Sequence, residues 1–486
     1  MPGQSALELL SPELQQQILL QIGTLDILYA LIRASPRLYQ VFRYNKETTL
    51  LTIALCQFHP AVQPEAVALA ELAQIQHQSK RDTQSQRDTA VSFCDTFPDQ
   101  IHRWYESNAS GSLSTNLCKL DRLVKIFIDD YAQNTLPVLD QLGHSQDCRI
   151  LPEYNHVQQL HLSTTEIGRL QRAFCRFELY RHLFSRCTQD FSNGVHQCIR
   201  DPPLTTAEQA KMFLEDLPAF QISEIACIRD YLFRRLRGIY DRIEDEAVRT
   251  LPIEAMTFEE SDESAMWESP FYMLTNRAQH EQEEHLEHLM SLGLPYIRQI
   301  LESTGNEQRD LFLHYVSSSV LHHLEGDFLS RAFERLGLNP DARRDCQRFL
   351  DTEKDFSPAC DENGYSELPQ GWLWAHHHLQ PSRLIDPAYK GLRDWGYVFW
   401  DYDRLQKSGI LRRDSHEVRM IRFSDYVGRF KLSVEQRLHA LHPPVTHSGY
   451  GSDGQEQSPE DHEEASVSSL DDSIDWDADE VVLVNY

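Results

Sequence analysis

The nearest approach to a familiar catalytic spacing is His280-Glu281-Gln282-Glu283-Glu284-His285. A helical zinc site of the hydrolase type needs two histidines four apart with a glutamate after the first, so that both rings reach one metal. Here the separation is five, which turns His280 and His285 to different faces. Glu281, His285 and His288 do share a face, at i, i+4 and i+7, and form a candidate metal triplet. Charged surface helices generate such triplets by composition alone, so no metal or other cofactor is expected. His376-His377-His378 and His322-His323 are adjacent, and adjacent side chains on a helix diverge. Arg169, Arg172 and Arg176 line one helical face, as a reader of phosphate or acidic peptide requires. Pairing with nearby carboxylates is the competing expectation for them. The sequence has no Gly-rich phosphate loop and no Gly-x-Ser-x-Gly elbow, so no enzymatic activity is expected.

Ten cysteines lie at irregular spacings, from Cys56 through Cys94, Cys118 and Cys148 to Cys360, with no Cys-x-x-Cys pair. Buried free thiols in a reducing compartment are the expectation. The net charge is −28, which argues against a nucleic-acid or anionic-membrane partner. Residues 451–486 hold 12 Asp and Glu and no Lys or Arg, leaving −16 for the rest. The N-terminal residues lack the basic, apolar and small-residue order of a secretory signal, so none is expected, and no apolar run nears the roughly 20 residues that span a bilayer. An intracellular chain, cytoplasmic or nuclear, is expected, with the sequon Asn108-Ala109-Ser110 accidental.

The elements that must position such residues are helices. Leu117, Leu120, Val124, Phe127, Ile128 and Tyr131 recur at helical spacing, as do Ile222, Ile225, Leu232, Leu236, Ile239 and Ile243. Ser163-Thr164-Thr165-Glu166 and Thr205-Thr206-Ala207-Glu208 are capping boxes that start two more. Runs of alternating β-formers are nearly absent, so an all-α fold is expected. Leu251 to Glu284 reads as a long excursion and residues 351–371 as a loop. The aromatic run Trp395-Gly396-Tyr397-Val398-Phe399-Trp400, with Trp372 and Trp374 upstream, is expected to be core, because such side chains bury large areas. The polar, acidic stretch 443–486 cannot offset its ordering entropy by burial and is expected to be a disordered tail. The division is thus 1–50, 51–442 and 443–486.

Residues 7–44 are the most specific stretch. Ser11-Pro12-Glu13 and Ser35-Pro36 each combine a cap with a proline at the first helical position, and Thr24 can cap a helix between them. Leu14, Ile18 and Ile22 recur every four residues. Leu25, Leu28, Tyr29 and Ile32 form a second stripe, and Ile27 and Leu31 add a further apolar side. Helices this short, below roughly 12–15 residues, hold only by packing on one another. The surplus apolar surface on the second helix calls for a partner.

The order Leu-Ser-Pro-Glu-Leu (Leu10 to Leu14), a Leu-rich helix and a basic-aromatic helix resembles the F-box. The stretch Ile32-Arg33-Ala34-Ser35-Pro36-Arg37-Leu38-Tyr39 is similar to the third helix of fungal F-box-like proteins. The resemblance implies docking on the Skp-type adaptor of an SCF ubiquitin ligase. It implies that Leu10, Pro12, Leu14, Ile18, Ile22, Leu25, Leu28, Leu31, Leu38, Tyr39 and Phe42 build the unit and its adaptor-facing surface. The helical body would engage an unknown protein substrate, with Arg169, Arg172 and Arg176 as candidate contacts. The alternative is a helical interaction scaffold with no ligase role.

Overall fold

The computed structural model describes residues 6–78, 83–100, 111–144, 161–185, 187–190, 195–198, 204–250, 279–313, 328–338, 369–376 and 389–418. These all belong to one unit, Met1–Leu441. The acidic tail lies outside the described residues, as do His322, His323, His377, His378 and Asn108.

The fold is all-α. Four helices open it: α1 Pro12–Leu20, α2 Leu25–Ala34, α3 Pro36–Tyr44 and α4 Lys46–Gln57. They are followed by α5 Gln63–Gln78, α6 Thr83–Gln100, α7 Gly111–His144 and α8 Thr164–Phe184. A short antiparallel hairpin, β1 Cys187–Asp190 with β2 Val195–Cys198, pairs Cys187 with Cys198 in register. Strands of four residues are too short for alternation to register in sequence. Next come α9 Thr206–Gln209, which widens into a π-turn at Ala210–Leu214, and the long α10 Ala219–Thr250. The remainder is α11 Gln279–Ser291, α12 Leu294–Glu302, α13 Gly305–Leu313, α14 Ser330–Leu338, α15 Gln370–His376, α16 Lys390–Arg393 and α17 Tyr402–Ser408. The helix α11 begins at Gln279, inside the stretch read as an excursion to Glu284, and α15 likewise takes in the end of the expected loop.

Both expected capping boxes form, with Ser163 and Glu166 starting α8 and Thr205 and Glu208 starting α9. The α8 helix carries buried residues on every side, Leu170, Phe174, Phe177, Tyr180 and Leu183 among them, and is therefore enclosed by other elements. Against it lie α5, α7 and α10. Buried Ala66, Ala68 and Ala70 let α5 approach α7 and α8 closely.

The aromatic run is core, as its composition led us to expect. Trp395 and Trp400 are fully buried, and Tyr131 of α7 meets Tyr231 of α10 at 4.9 Å and Phe399 at 5.3 Å, both edge-on. Polar contacts fix this run at both ends. Arg393 Nε donates to Asp230 Oδ2 at 2.6 Å, and Asp401 accepts from Ser163, from Thr165 at 2.7 Å and from Arg169 at 2.9 Å at the start of α8. Arg404 closes the cluster on both Glu166 oxygens at 2.7 Å.

The described residues form two hydrophobic cores, and α4 serves both. Leu50 and Ile53 join Leu19, Ile22, Leu28, Ile32, Val41 and Phe42 in a small N-terminal core. Ala54 and the adjoining Phe58 belong to the large core of α5, α7, α8 and α10. The sequence division at 50/51 therefore falls within one continuous helix.

Candidate docking face

The three N-terminal helices form where their start signals stand, with one exception in chemistry. Thr24 Oγ1 accepts from Ile27 N at 3.3 Å, and Ser35 Oγ accepts from Leu38 N at 3.3 Å while donating to Glu8 at 2.6 Å. Ser11 sits at the cap position of α1 without capping it. The Glu13 carboxyl is held below its usual range by its own backbone N–H and then by the Ser11 hydroxyl, so this side chain serves the helix start.

The buried face of α1 differs from the expected Leu14–Ile18–Ile22 stripe. Gln15 and Leu19 point inward, Ile18 is half-buried, and Leu14 is 48% exposed. Residues 7–10 explain the rotation. They fold back so that Gln15 Nε2 donates to Leu7 O at 3.0 Å, which gives the buried amide nitrogen a partner and offsets part of the cost of burying the group. A buried glutamine is invisible to a hydrophobicity stripe.

The expected adaptor-facing residues consequently separate. Ile22, Leu28, Leu38 and Phe42 are buried and build the unit rather than its outer surface. Leu10, Ile18, Leu25, Leu31 and Tyr39 are half-buried, while Pro12 and Leu14 are exposed. Three further apolar side chains reach solvent: Leu9 is 66% exposed, Ile27 52% and Tyr44 89%. Ile27 belongs to the extra apolar side that the sequence shows on the second helix, whereas Leu9 and Tyr44 lie in a turn and at a helix end, where periodicity is weakest. Of the five large hydrophobic residues exposed among the described ones, four (Leu9, Leu14, Ile27 and Tyr44) belong to this unit.

The unit is latched to the body. Gln57, at the end of α4, donates to Gly23 O and accepts from Lys125 Nζ of α7 at 2.7 Å. Lys125 also pairs with buried Asp121 at 2.9 Å. Burial raises the Asp121 carboxyl against the pull of Lys125, and Asp26 adds to the rise. A raised folded-state pKa gives stability that is present in acid and lost as pH rises. Replacing Asp121→Asn is expected to flatten this dependence. The thermal midpoint of the parent should fall relative to the variant as pH climbs from about 4 toward neutrality.

The other candidate sites are structural. Arg172 grips buried Glu224 with Nε at 2.9 Å and Nη2 at 2.6 Å. Arg176 reaches Glu65 at 2.9 Å and Gln221 at 2.6 Å, and Arg169 holds Asp401 and the Phe399 carbonyl. All three guanidiniums are mostly buried and committed to partners within the chain, which corrects their candidacy as target contacts. The pairing alternative describes them. His285 and His288 are fully buried, so their helix is not a charged surface helix. The His285 ring bonds Phe312 O through Nε2 at 3.0 Å. Among the described residues no group of three or more His, Cys, Asp or Glu could hold a metal. Cys175 and Cys227 are enclosed, and burial pushes both thiols well up, which makes them poor nucleophiles. Among the described residues no helix is long and apolar enough to cross a membrane.

No family model matches the chain, and neither does any curated protein or solved structure.

Proposed function

We propose that this protein is a non-catalytic substrate receptor of an SCF-type ubiquitin ligase, with α1–α3 docking the Skp-type adaptor and the helical body holding a protein target. The observation that carries the reading is the concentration of exposed apolar side chains on a unit with its own small core. Exposed Leu9, Leu14, Ile27 and Tyr44 would form the contact set, joined by half-buried Leu10, Leu25, Leu31 and Tyr39. The F-box resemblance of Leu10 to Leu14 and Ile32 to Tyr39 in the same unit supplies the identity of the partner.

The test is retention of purified recombinant adaptor by the full chain and by a Leu14→Asp, Ile27→Asp variant. Both positions are exposed, so the variant should keep its fold by circular dichroism. Interface anchors are worth about 2 kcal/mol or more each, so affinity should drop at least about a hundredfold. Equal retention by both proteins, or none by the parent, would overturn the reading.

One observation favours a second reading, a helical scaffold without a ligase role: α4 gives Leu50 and Ile53 to one core and Ala54 to the other. The unit would then be integral to the body. This reading expects no adaptor retention even though the exposed face is intact, together with loss of cooperative unfolding when residues 1–46 are deleted.

A further inference from the structure

On an acidic chain of −28, one seam is rich in cations. The outer side of α7 exposes Lys119, Arg122 and Lys125 at i, i+3 and i+6. The solvent side of α2 exposes Ile27, Ala30 and Arg33 at the same spacing, a low-profile strip that ends in a charge. The two strips adjoin, because Tyr29 of α2 and Cys118 of α7 both pack against the small N-terminal core. Arg33 and Arg122 converge there: burial and then the Cys118 thiol raise the Tyr29 hydroxyl, while both cations pull it down. Lys125 is engaged with Asp121 and Gln57. Among the described residues, Arg33, Lys119 and Arg122 have no hydrogen-bond or ion-pair partner. Asp121 is buried and already paired with Lys125, and among the described residues Asp26 and Asp129 are the other carboxylates acting on this cluster, Asp129 through Lys125, so three carboxylates face four cations. The seam therefore keeps a positive surplus beside the exposed Ile27.

We infer that an acidic polypeptide segment docks along this seam, its carboxylates meeting Arg33, Lys119 and Arg122, and that the partner covering Ile27 supplies it. The inference deepens the docking reading and rests on it for the partner's identity. A nucleic acid suits the seam poorly. It presents a continuous run of phosphates, and the acidic remainder of the chain would repel everything beyond the few that these cations can hold. A short carboxylate cluster matches the cations in number. It also extends the contact from the three-helix unit onto α7, so the isolated helices would present only part of the face.

The experiment uses the full chain and a fluorescein-labelled oligo-glutamate peptide, read by anisotropy at low and high salt. The parent should bind, more weakly as salt rises. Lys119→Glu, Arg122→Glu should weaken binding at least about tenfold, since like charges now face each other. A control of equal charge change at exposed positions elsewhere, Lys407→Glu, Arg412→Glu, should retain it. Equal loss in both variants, no binding to the parent, or equally tight binding of a single-stranded oligonucleotide would overturn the inference. A parallel titration with the recombinant adaptor separates the two readings. If the adaptor fails and the peptide binds, the ligase reading falls while the seam for an acidic segment stands.

Discussion

Replacing Arg393 by alanine is expected to destabilise the fold by about 3–5 kcal/mol, read as a drop in the urea midpoint of unfolding. Arg393 and Asp230 are both buried, and the Nε–Oδ2 separation is 2.6 Å. Without Arg393, Asp230 keeps Arg229, 2.8 Å away, which must also serve Glu287 and Ser330, and the charge of Lys390. The loss therefore measures a buried charge left under-compensated, not the net worth of the pair. An Arg393→Met, Asp230→Leu double variant should recover most of it, because well-packed apolar residues often replace a buried ion pair without loss. The pH dependence provides an independent check. Burial alone would raise the Asp230 carboxyl, but the Arg393 and Arg229 guanidiniums outweigh it and hold the group well below the usual range. A depressed folded-state pKa means stability that is present above about pH 4 and lost as pH falls through the folded value. In the alanine variant, protonation relieves the stranded carboxylate instead. The stability gap between parent and variant should then close toward low pH.

The same Gly→Ala change should act with opposite signs at two positions. Gly143, near the end of α7, meets the backbone of the last residue of α17, where an added Cβ would lie 1.6 Å from Ser408 O. Neither side can yield by moving a flexible side chain, so the helices must separate. Gly143→Ala is expected to cost about 3 kcal/mol, at the upper end of ordinary overpacking. Gly238 is an exposed position inside α10, where an added Cβ has nothing within 4 Å. Gly238→Ala should raise stability by about 0.5–1 kcal/mol through helix propensity and a less flexible unfolded chain. Thermal midpoints of the two variants, moving apart from the parent, would show that the α7–α17 approach is close enough to require glycine. Two midpoints moving together would refute it.

Much of the helical plan could be read along the chain. Thr24 and Ser35 cap the helices that their positions announced, and the Ser163/Glu166 and Thr205/Glu208 boxes form. The stripe from Ile222 to Ile243 is buried along α10, and the tryptophan-rich run is core. These signals are local: a cap, a period of 3.6, a cluster of large side chains. The face of α1 was misread because Gln15 is buried through a hydrogen bond to Leu7 O, and no hydropathy pattern records a bond. The three arginines on α8 were correctly placed on one face, yet what they touch lies far away in sequence. Arg172 pairs 52 residues along at Glu224, and Arg176 pairs 111 residues back at Glu65. Likewise His285 and His288 look solvated among four glutamates but are buried where α11 meets α10 and Phe312.

For the candidate site, the amino-acid order determined that three short amphipathic helices would exist and that they carry more apolar surface than they can cover alone. Which of those side chains remain outside was decided by tertiary structure. Helix rotation depends on partners brought from elsewhere: the fold-back of residues 7–10, the shared α4 and the latch from α7. Periodicity specifies that a stripe exists; only packing selects the side of it that meets water.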